Sequence, residues 1–236
     1  NGHSVAERAP RLYQRIRACD PDLIGLQEAS KKWENFLEPL KEEYGVIWMY
    51  RQPIESLEAT PLYWKKALFE LVEEEHFWLS ETPDVMSKDW GAACYRICSY
   101  VILTENASGK DFVVFNTHLD HVSDEARIKG IAVVLEKIAR FGGLPAVIMG
   151  DFNALEGSET YISATENFQD ARYAAAETCD SHTYQNWGNP ESFKRLDYFM
   201  ISKTGWQALR YAVVDPVRDG IYTSDHCPIV LELVLQ

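Results

Sequence analysis

Residues 145–149 form a short apolar run of the kind that makes a buried strand, and they lead directly into Gly150, Asp151 and Asn153. A glycine at this point allows the chain to turn sharply, which places the next carboxylate and amide at the C-terminal edge of the strand. An Asx turn is the simpler alternative, because aspartate and asparagine are common where strands end. Four other polar clusters border apolar runs elsewhere in the chain, and their residue types complement this one. The repetition favours a shared site.

The residues before this strand have the pattern of a β-hairpin followed by a crossover helix. Residues 92–104 and 111–117 are apolar stretches joined by turn-forming residues, which is typical of a hairpin. Ser123 is a suitable N-cap for a helix with apolar residues at helical spacing, and Gly142-Gly143 ends it. A strand, a crossover helix and a strand in succession are typical of an α/β protein, which is the fold class we expect.

Other elements are predicted from apolar spacing and turn residues. Helices are expected over residues 10–19, with Pro10 near the start, and over residues 158–163, whereas residues 167–180 are expected to be irregular. Further strands are expected over residues 23–26, 46–50, 62–65, 69–79, 195–201, 208–214 and 229–235.

Composition and charge exclude several classes of protein. Of the 236 residues, 46% are hydrophobic and 25% are charged, which excludes a disordered or collagen-like chain. No apolar run approaches the roughly 20 residues that a membrane span requires. The net charge of −13 disfavours a long electrostatic track for nucleic acid but suits a small anionic substrate bridged by a cation. The five cysteines include no CxxC pair, so we expect reduced, buried thiols and a cytoplasmic location.

A second polar cluster, Gln27-Glu28, follows the apolar run at residues 23–26. A carboxylate at the end of a buried strand needs a partner. Glu28 is therefore either a ligand or a cap for the following helix, which the apolar stripe from Trp33 to Leu40 predicts.

A third cluster, residues 116–121, follows the second hairpin strand and contains two histidines beside an aspartate. A third nitrogen ligand is missing from the sequence pattern, which argues against a zinc site. We interpret His121, like His3 and His76, as a structural histidine. His118 remains a candidate for the site.

Three further positions are interpreted from their surroundings. Arg96 is expected inside the first hairpin strand, where a long charged side chain has to reach solvent or an anionic partner. Glu58 precedes residues 61–63 in a loop, and we interpret it as a solvated carboxylate. Tyr184 or Trp187 can stack on a substrate ring, although packing is the more common role of such aromatic residues.

The polar clusters supply the groups that hydrolysis of a phosphate ester requires. That reaction needs a cation to neutralise charge on phosphoryl oxygens, a base or orienter for water, and donors for the developing negative charge. Magnesium and manganese prefer oxygen ligands, and Glu28 suits that role. The other clusters supply Asp151 as the base, Asn153 and His118 as donors to phosphate, and Asp197 with His226 as a carboxylate–imidazole pair.

Five segments carry these residues: Leu26-Gln27-Glu28, Asn116-Thr117-His118-Leu119, Gly150-Asp151-Phe152-Asn153, Arg195-Leu196-Asp197-Tyr198 and Ser224-Asp225-His226-Cys227-Pro228. Their order and spacing resemble the endonuclease/exonuclease/phosphatase superfamily, which includes DNase I, apurinic endonucleases, neutral sphingomyelinases, inositol polyphosphate 5-phosphatases and nocturnin-like deadenylases. The resemblance covers nearly the whole chain, and five ordered motifs are far more specific than one. Residues 77–83 and Arg96 also resemble a bacterial branch whose substrates are mostly unassigned.

The resemblance implies a four-layer α/β/β/α sandwich of two mixed β-sheets flanked by helices, with the site at one edge between the sheets. It implies Mg²⁺ as the cofactor, with Mn²⁺ as the alternative. The implied roles are metal binding for Glu28 and Asp225, water activation for Asp151, phosphate contact for Asn153 and His118, and transition-state support for His226 paired with Asp197. Arg96 is the substrate-binding candidate from the bacterial branch, and Tyr184 is a substrate-binding candidate from its aromatic ring alone. Whether Asp151 or a histidine is the base stays open.

One departure from the superfamily pattern concerns the beginning of the chain. Superfamily members begin with a strand that carries an asparagine near the metal, whereas no apolar strand precedes Pro10 and Asn1 is the candidate remnant. We therefore expect a single domain over residues 1–236 that lacks this first strand. An incomplete metal shell and an unpaired sheet edge follow from that expectation.

The leading hypothesis for function is a Mg²⁺-dependent phosphodiesterase or phosphatase that acts on a phosphorylated small molecule or a short nucleic acid. A metal-dependent nuclease of the exonuclease, deadenylase or apurinic-endonuclease type is the alternative among enzymes. A catalytically silent binding module is the alternative from another class, and the complete set of site residues disfavours it. The oligomeric state stays open.

Overall fold

The computed structural model describes residues 3–54 and 58–236, and its elements follow the apolar patterns of the sequence. The first half contains α1 (Val5–Cys19), β1 (Leu23–Gly25), α2 (Lys31–Leu37), β2 (Tyr44–Ile47), β3 (Leu62–Lys65), β4 (Phe69–Trp78), β5 (Ile97–Glu105) and β6 (Lys110–His118). The second half contains α3 (Asp124–Ala139), β7 (Ala146–Asp151), α4 (Glu159–Asn167), β8 (Phe168–Asp170), α5 (Ala171–Ala174), β9 (Asp197–Ser202), β10 (Trp206–Val213), β11 (Val217–Arg218), β12 (Ile221–Tyr222) and β13 (Ile229–Leu235).

The largest sheet has six strands in the order β4-β5-β6-β7-β9-β8. β6 and β7 pair in parallel, and the other neighbouring strands in this sheet are antiparallel. α3 makes the crossover between β6 and β7, and the Ser123 hydroxyl caps it by accepting from the backbone amide of Ala126. The predicted hairpin and the predicted strand–helix–strand unit are both confirmed.

The central strands of this sheet are buried on both faces, so they read as continuous apolar runs. On one face, Val113, Phe115 and Ile148 pack against α3 and α4. On the other face, Val114 and Val147 pack in a second cluster with residues of β3 and β10. Because successive side chains point to opposite faces of a strand, the same strands contribute to both clusters.

The second β-layer consists of a three-stranded sheet, β1-β3-β2, and a two-stranded sheet, β10-β13, both with antiparallel pairing. α1 and α2 cover its outer side, where Ile16 and Leu37 pack with Ile24 and Tyr63. The order of layers is therefore helices, six-stranded sheet, second sheet layer and helices. This arrangement confirms the four-layer α/β/β/α sandwich.

The first helix begins earlier than the sequence analysis predicts. Ser4 caps it by accepting from the amide of Glu7, and the Glu7 carboxylate accepts from the amide of Ser4. This reciprocal capping box fixes the start of α1 at Val5, and Pro10 lies inside the helix. Asn1 lies outside the described residues.

The expectation that residues 167–180 are irregular is wrong, because β8 and α5 lie within them. The Asp170 carboxylate caps α5 by accepting from the amide of Arg172. Both oxygens of that carboxylate also accept from the two Nη atoms of Arg195, at 2.6 and 2.7 Å. A buried bidentate ion pair of this kind holds β8 against the segment that leads into β9.

Among the described helices, none is long and apolar enough to cross a membrane.

Candidate active site

The register of the six-stranded sheet places three predicted site residues side by side. In the parallel β6/β7 pair, His118 lies opposite Asp151, and in the antiparallel β7/β9 pair, Asp151 lies opposite Asp197. His226 comes from the segment before β13, and its Nε2 lies 3.8 Å from Oδ2 of Asp151. The structure therefore brings His118, Asp151, Asp197 and His226 together at one sheet edge.

Asp151 is the last residue of β7 and is buried. Gly150 precedes it with φ near +145°, and a Cβ atom there would lie 1.9 Å from the carbonyl oxygen of Thr117, so only glycine fits between the two strands. The Oδ1 atom of Asp151 accepts from the amide of Asn153, which leaves Oδ2 facing the two histidines. Burial, followed by the nearby carboxylate of Asp197, raises the pKa of Asp151 to about 7.

His226 and Asp197 form the predicted carboxylate–imidazole pair. The Nδ1–H group of His226 donates to Oδ2 of Asp197 at 2.8 Å. The buried hydroxyl of Thr183 accepts from the backbone amides of Leu196 and Asp197, which fixes the start of β9. Burial lowers the pKa of His226, but the carboxylates of Asp197 and Asp151 outweigh burial and raise it to about 10. His226 is therefore an imidazolium at neutral pH.

His118, in contrast to His226, is neutral. Its side chain is buried, and its Nε2 atom lies 3.5 Å from Oδ2 of Asp151. Burial, and then the positive charges of Arg96 and His226, lower the pKa of His118 well below its ordinary value of 6.5. A neutral imidazole and an imidazolium thus flank the same carboxylate oxygen of Asp151.

Glu28 lies beside this row, in a left-handed conformation with φ near +57°. Its ligand atoms and those of Glu58 and His118 all lie within 4.8 Å of one another. Glu28 as a whole keeps accessible surface, but the surrounding protein desolvates its carboxylate. This desolvation raises the pKa of Glu28, and the negative charges of Glu58 and Asp225 raise it further. A divalent cation relieves such crowding of carboxylates, and oxygen ligands suit Mg²⁺, so the residues present fit the metal.

The chain is similar to known proteins over nearly its whole length. The profile of the Endonuclease/Exonuclease/phosphatase family matches residues 4–226. The chain belongs to this family. It is similar to a solved endonuclease/exonuclease/phosphatase from Bacteroides vulgatus, with 30% identity and a TM-score of 0.92 over 99% of this chain and 92% of that one.

Two further proteins, one bacterial and one viral, are also similar to this chain. The mannosyl-6-phosphatase Bt3783 of Bacteroides thetaiotaomicron is 30% identical, with a TM-score of 0.85 over 98% of this chain and 91% of that one. Protein L388 of Acanthamoeba polyphaga mimivirus is 26% identical over 97% of this chain and 93% of its own length.

Asn116 of the second family motif links the six-stranded sheet to the loop that carries Glu28. Its side chain is fully buried, accepts from Nε2 of Gln27 at 2.7 Å, and donates to the carbonyl oxygens of Leu26 and Pro61 at 2.8 and 2.9 Å. Two of these hydrogen bonds hold the segment between β1 and Glu28 on β6, and the third holds Pro61, which precedes β3. This is a positioning role that the sequence analysis did not assign.

We expect Asn116→Ala to lower the free energy of unfolding by about 1–3 kcal/mol, because it removes the side-chain donor to the carbonyl of Leu26 and the acceptor for Nε2 of Gln27. We also expect Mg²⁺ affinity to fall about tenfold, since Glu28 loses its support. Chemical denaturation and calorimetric Mg²⁺ titration measure the two effects. Asn106→Ala is the matched control, because Asn106 makes a comparable bond to Ala67 in an exposed turn. Equal destabilisation by both changes contradicts the linking role.

Three other residues that the sequence analysis selected, Asn153, Tyr184 and Asp225, also lie near the cluster. Asn153 has a left-handed backbone, with φ near +49°, and one of its amide hydrogens is donated to the carbonyl of Leu119. Tyr184 lies with its ring 4.9 Å from that of His226. Burial, and then the charge of Asp225, raise the pKa of the Tyr184 hydroxyl. Asp225 therefore lies close enough to influence both Tyr184 and Glu28.

Arg96 is not inside a strand as expected, because β5 begins at Ile97. Arg96 is buried beside the candidate active site. Its Nη2 atom is 2.9 Å from Nδ1 of His121, and its Nη1 atom is 4.0 Å from Oε2 of Glu58. The interpretation of Glu58 as a solvated carboxylate is also wrong. Glu58 is partly buried and accepts from Nη1 of Arg51 at 2.5 Å.

Arg51 and Arg8 are two basic residues near the family site that the sequence analysis did not select. The guanidinium of Arg8 lies 4.9 Å from the ring centroid of Trp33 and 5.3 Å from that of Trp187. Burial lowers the pKa of Arg8, and the carboxylates of Asp225 and Glu28 act in the opposite direction. Neither arginine lies in one of the five motifs, and the sequence carries no local signal for them.

Proposed function

We propose that this chain is a Mg²⁺-dependent phosphoric ester hydrolase that uses in-line attack by water on a small or short phosphorylated substrate. The observation that carries the proposal is the arrangement around Oδ2 of Asp151. This buried oxygen faces a neutral histidine, His118, and a positively charged one, His226, beside the carboxylates of Glu28 and Glu58. A water and a phosphate can therefore meet a proton acceptor, donors and metal ligands at one place.

The metal is assigned to Glu28 and Asp225, with Glu58 as an additional oxygen ligand. When bound, Mg²⁺ neutralises charge on the phosphoryl oxygens, and Mn²⁺ is the alternative. Mg²⁺ is usually held by one or two carboxylates together with water and substrate phosphate, so Glu28 and Asp225 supply that number and Glu58 is a third carboxylate beside them. Burial, and then the carboxylates of Glu58 and Asp225, raise the pKa of Glu28, and this crowding of negative charge supports the assignment.

Asp151 is assigned as the group that orients and deprotonates the attacking water. Its pKa of about 7 allows it to accept a proton near neutral pH, whereas His226 is already protonated. His226 then donates to a phosphoryl oxygen as charge develops, with Asp197 holding its Nδ1–H. His118 and the second amide hydrogen of Asn153 are the neutral donors to the scissile phosphate.

The substrate class rests on charge and on one relative. The net charge of −13 opposes a long polyanion but allows a small anionic group at a site where metal ligands and arginines meet. The mannosyl-6-phosphatase Bt3783, a relative with 30% identity, is named for a phosphatase activity. Both observations support a small phosphorylated substrate.

The test is hydrolysis of p-nitrophenyl phosphate and bis-p-nitrophenyl phosphate with Mg²⁺, with Mn²⁺ and with EDTA. We expect release of p-nitrophenolate that depends on the metal and that Glu28→Gln lowers by at least about 100-fold. Glu70→Gln is the control, because Glu70 is exposed on β4. If folded protein releases no product with either metal, and Mg²⁺ titration by calorimetry detects no binding, the proposal is wrong.

A further inference from the structure

A small pocket adjoins the candidate site on the side of His118. Its volume is about 10 Å³, and it is lined by Arg51, Glu58, Thr60, Tyr95, Arg96 and His118. A space of this size admits about one water-sized group. It therefore has room for a single oxygen atom of a phosphate.

Two guanidinium groups in this pocket keep unused hydrogen-bond donors. Among the described residues, Nε of Arg51 and Nε of Arg96 are both buried without a hydrogen-bond partner. Arg96 is 6% exposed, and the side chain of Arg51 is 11% exposed. Both Nε atoms are shielded from the pocket, so an anion there accepts from Nη atoms instead. Nη2 of Arg96 contacts His121, whereas Nη1 of Arg96 has no hydrogen-bond partner among the described residues and is the donor available to an anion.

Glu58 lies between the two arginines and neutralises them only in part. It accepts from Arg51 at 2.5 Å, but its distance of 4.0 Å from Nη1 of Arg96 is too long for a hydrogen bond. Asp120 lies 3.7 Å from Nε of Arg96, and its oxygens already accept from backbone amides. The pocket therefore keeps donors for an anion while Glu58 holds Arg51 in place.

We infer that Arg51 and Arg96 select phosphate monoesters over phosphate diesters. The inference rests on the proposed function, because it concerns the phosphate bound between Asp151, His118 and Glu28. A monoester has three non-bridging oxygens, so one of them can enter the pocket and accept from the guanidinium groups. A diester replaces one of these oxygens with an ester oxygen that carries a second organic group. One of the two remaining non-bridging oxygens can still enter the pocket, but the diester carries one negative charge fewer than the monoester dianion. The two guanidinium groups therefore stabilise the bound monoester more strongly than the bound diester.

The test compares p-nitrophenyl phosphate with methyl p-nitrophenyl phosphate, which share a leaving group and differ by one methyl group on a non-bridging oxygen. We expect the wild type to prefer the monoester in kcat/KM. We expect Arg51→Gln and Arg96→Gln each to lower kcat/KM for the monoester about 10- to 100-fold and to change the diester rate less than about threefold. Arg140→Gln is the control, because Arg140 is exposed at the C-terminal end of α3 and its ion pair among the described residues is with Glu136.

A binding measurement separates this inference from the proposed function. With Mg²⁺ present, calorimetry should detect inorganic phosphate binding that Arg51→Gln weakens about 10- to 100-fold, whereas dimethyl phosphate should bind poorly to both proteins. This arm needs no turnover, so it applies even if neither nitrophenyl ester is a substrate. Arg51→Lys keeps the charge without the forked donors and should give an intermediate loss. Equal binding of the two phosphates, or equal loss of both esterase rates in the variants, overturns the selection of monoesters.

Discussion

Replacing Asp151 with asparagine is expected to lower kcat/KM for phosphate ester hydrolysis by at least about 1,000-fold while the fold persists. The asparagine oxygen can still accept from the amide of Asn153, as Oδ1 of Asp151 does at 2.8 Å. It cannot take a proton from water, and it removes the negative charge that faces His118 and His226. Steady-state hydrolysis of p-nitrophenyl phosphate with Mg²⁺ measures the effect.

The matched control for this change is Asp111→Asn, at the other end of the hairpin that β5 and β6 form. Asp111 is exposed and accepts from the hydroxyl of Thr104, far from the polar edge of the sheet. This variant should keep the wild-type rate. Unchanged turnover in Asp151→Asn removes Asp151 from the mechanism and leaves a histidine as the candidate base.

The same asparagine variant should unfold at a higher temperature than the wild type above pH 7 when both proteins are free of metal. The pKa of Asp151 rises from an ordinary value of 3.8 to about 7 in the folded state. The folded protein therefore holds this proton more tightly than the unfolded chain, and stability falls as pH rises from about 4 to 7. Asparagine does not ionise, so the variant does not lose stability in this way as pH rises. Melting temperatures measured in EDTA from pH 5 to pH 8 should diverge in favour of the variant.

Sequence alone predicts those residues of the site that lie at the ends of strands. β6 and β7 are buried on both faces, so their apolar runs are continuous. They give way to polar residues at the strand ends, at residues 116–118 in β6 and at Asp151 in β7. Because the β6/β7 pair is parallel, two polar residues that end successive strands have to lie at one edge. The four-layer order, in contrast, followed from the family resemblance, because hydrophobic periodicity does not specify how sheets and helices stack.

Sequence could not predict the residues that reach the site from loops. Glu58 looked like a solvated carboxylate because its neighbours along the chain are loop residues. Its environment is instead set by Arg51, seven positions away, and by Arg96, which is distant in sequence. Ion pairs of this kind depend on how loops fold over a sheet edge, and hydrophobic periodicity does not predict loop conformation.

Short elements were missed for a related reason. β8 contains three residues and α5 contains four, too few to show a period of two or of 3.6 residues. What stabilises them is the ion pair between Asp170 and Arg195, which joins residues 25 positions apart. The start of α1 was missed although its signal was present, since Ser4 and Glu7 have the spacing of a capping box.

Replacing Asp197 with asparagine should lower the pKa of His226 from about 10 toward its ordinary value of 6.5, because it removes the largest of the three carboxylate charges that raise this pKa. Burial disfavours the imidazolium, and Asp197 is the main charge that opposes burial. At pH 8 the variant should therefore lose its cationic donor, and kcat/KM should fall about 100- to 1,000-fold. Part of this loss should be recovered at pH 5.5, where His226 is protonated again. Wild type should show no such recovery, and Asp84→Asn, an exposed carboxylate change, should follow the wild type.

The stability of the two proteins should diverge over the same pH range. A folded-state pKa of about 10, above the ordinary 6.5, means that His226 stabilises the wild type fully below pH 6.5 and loses that contribution as pH rises through 10. Wild-type melting temperature in EDTA should therefore fall between pH 7 and pH 10, and the slope should be smaller in Asp197→Asn. Titration of the His226 ring by NMR measures the pKa directly. An unchanged pKa in the variant means that Asp151 and Asp225 alone keep the imidazole charged, and it assigns Asp197 to orienting the ring.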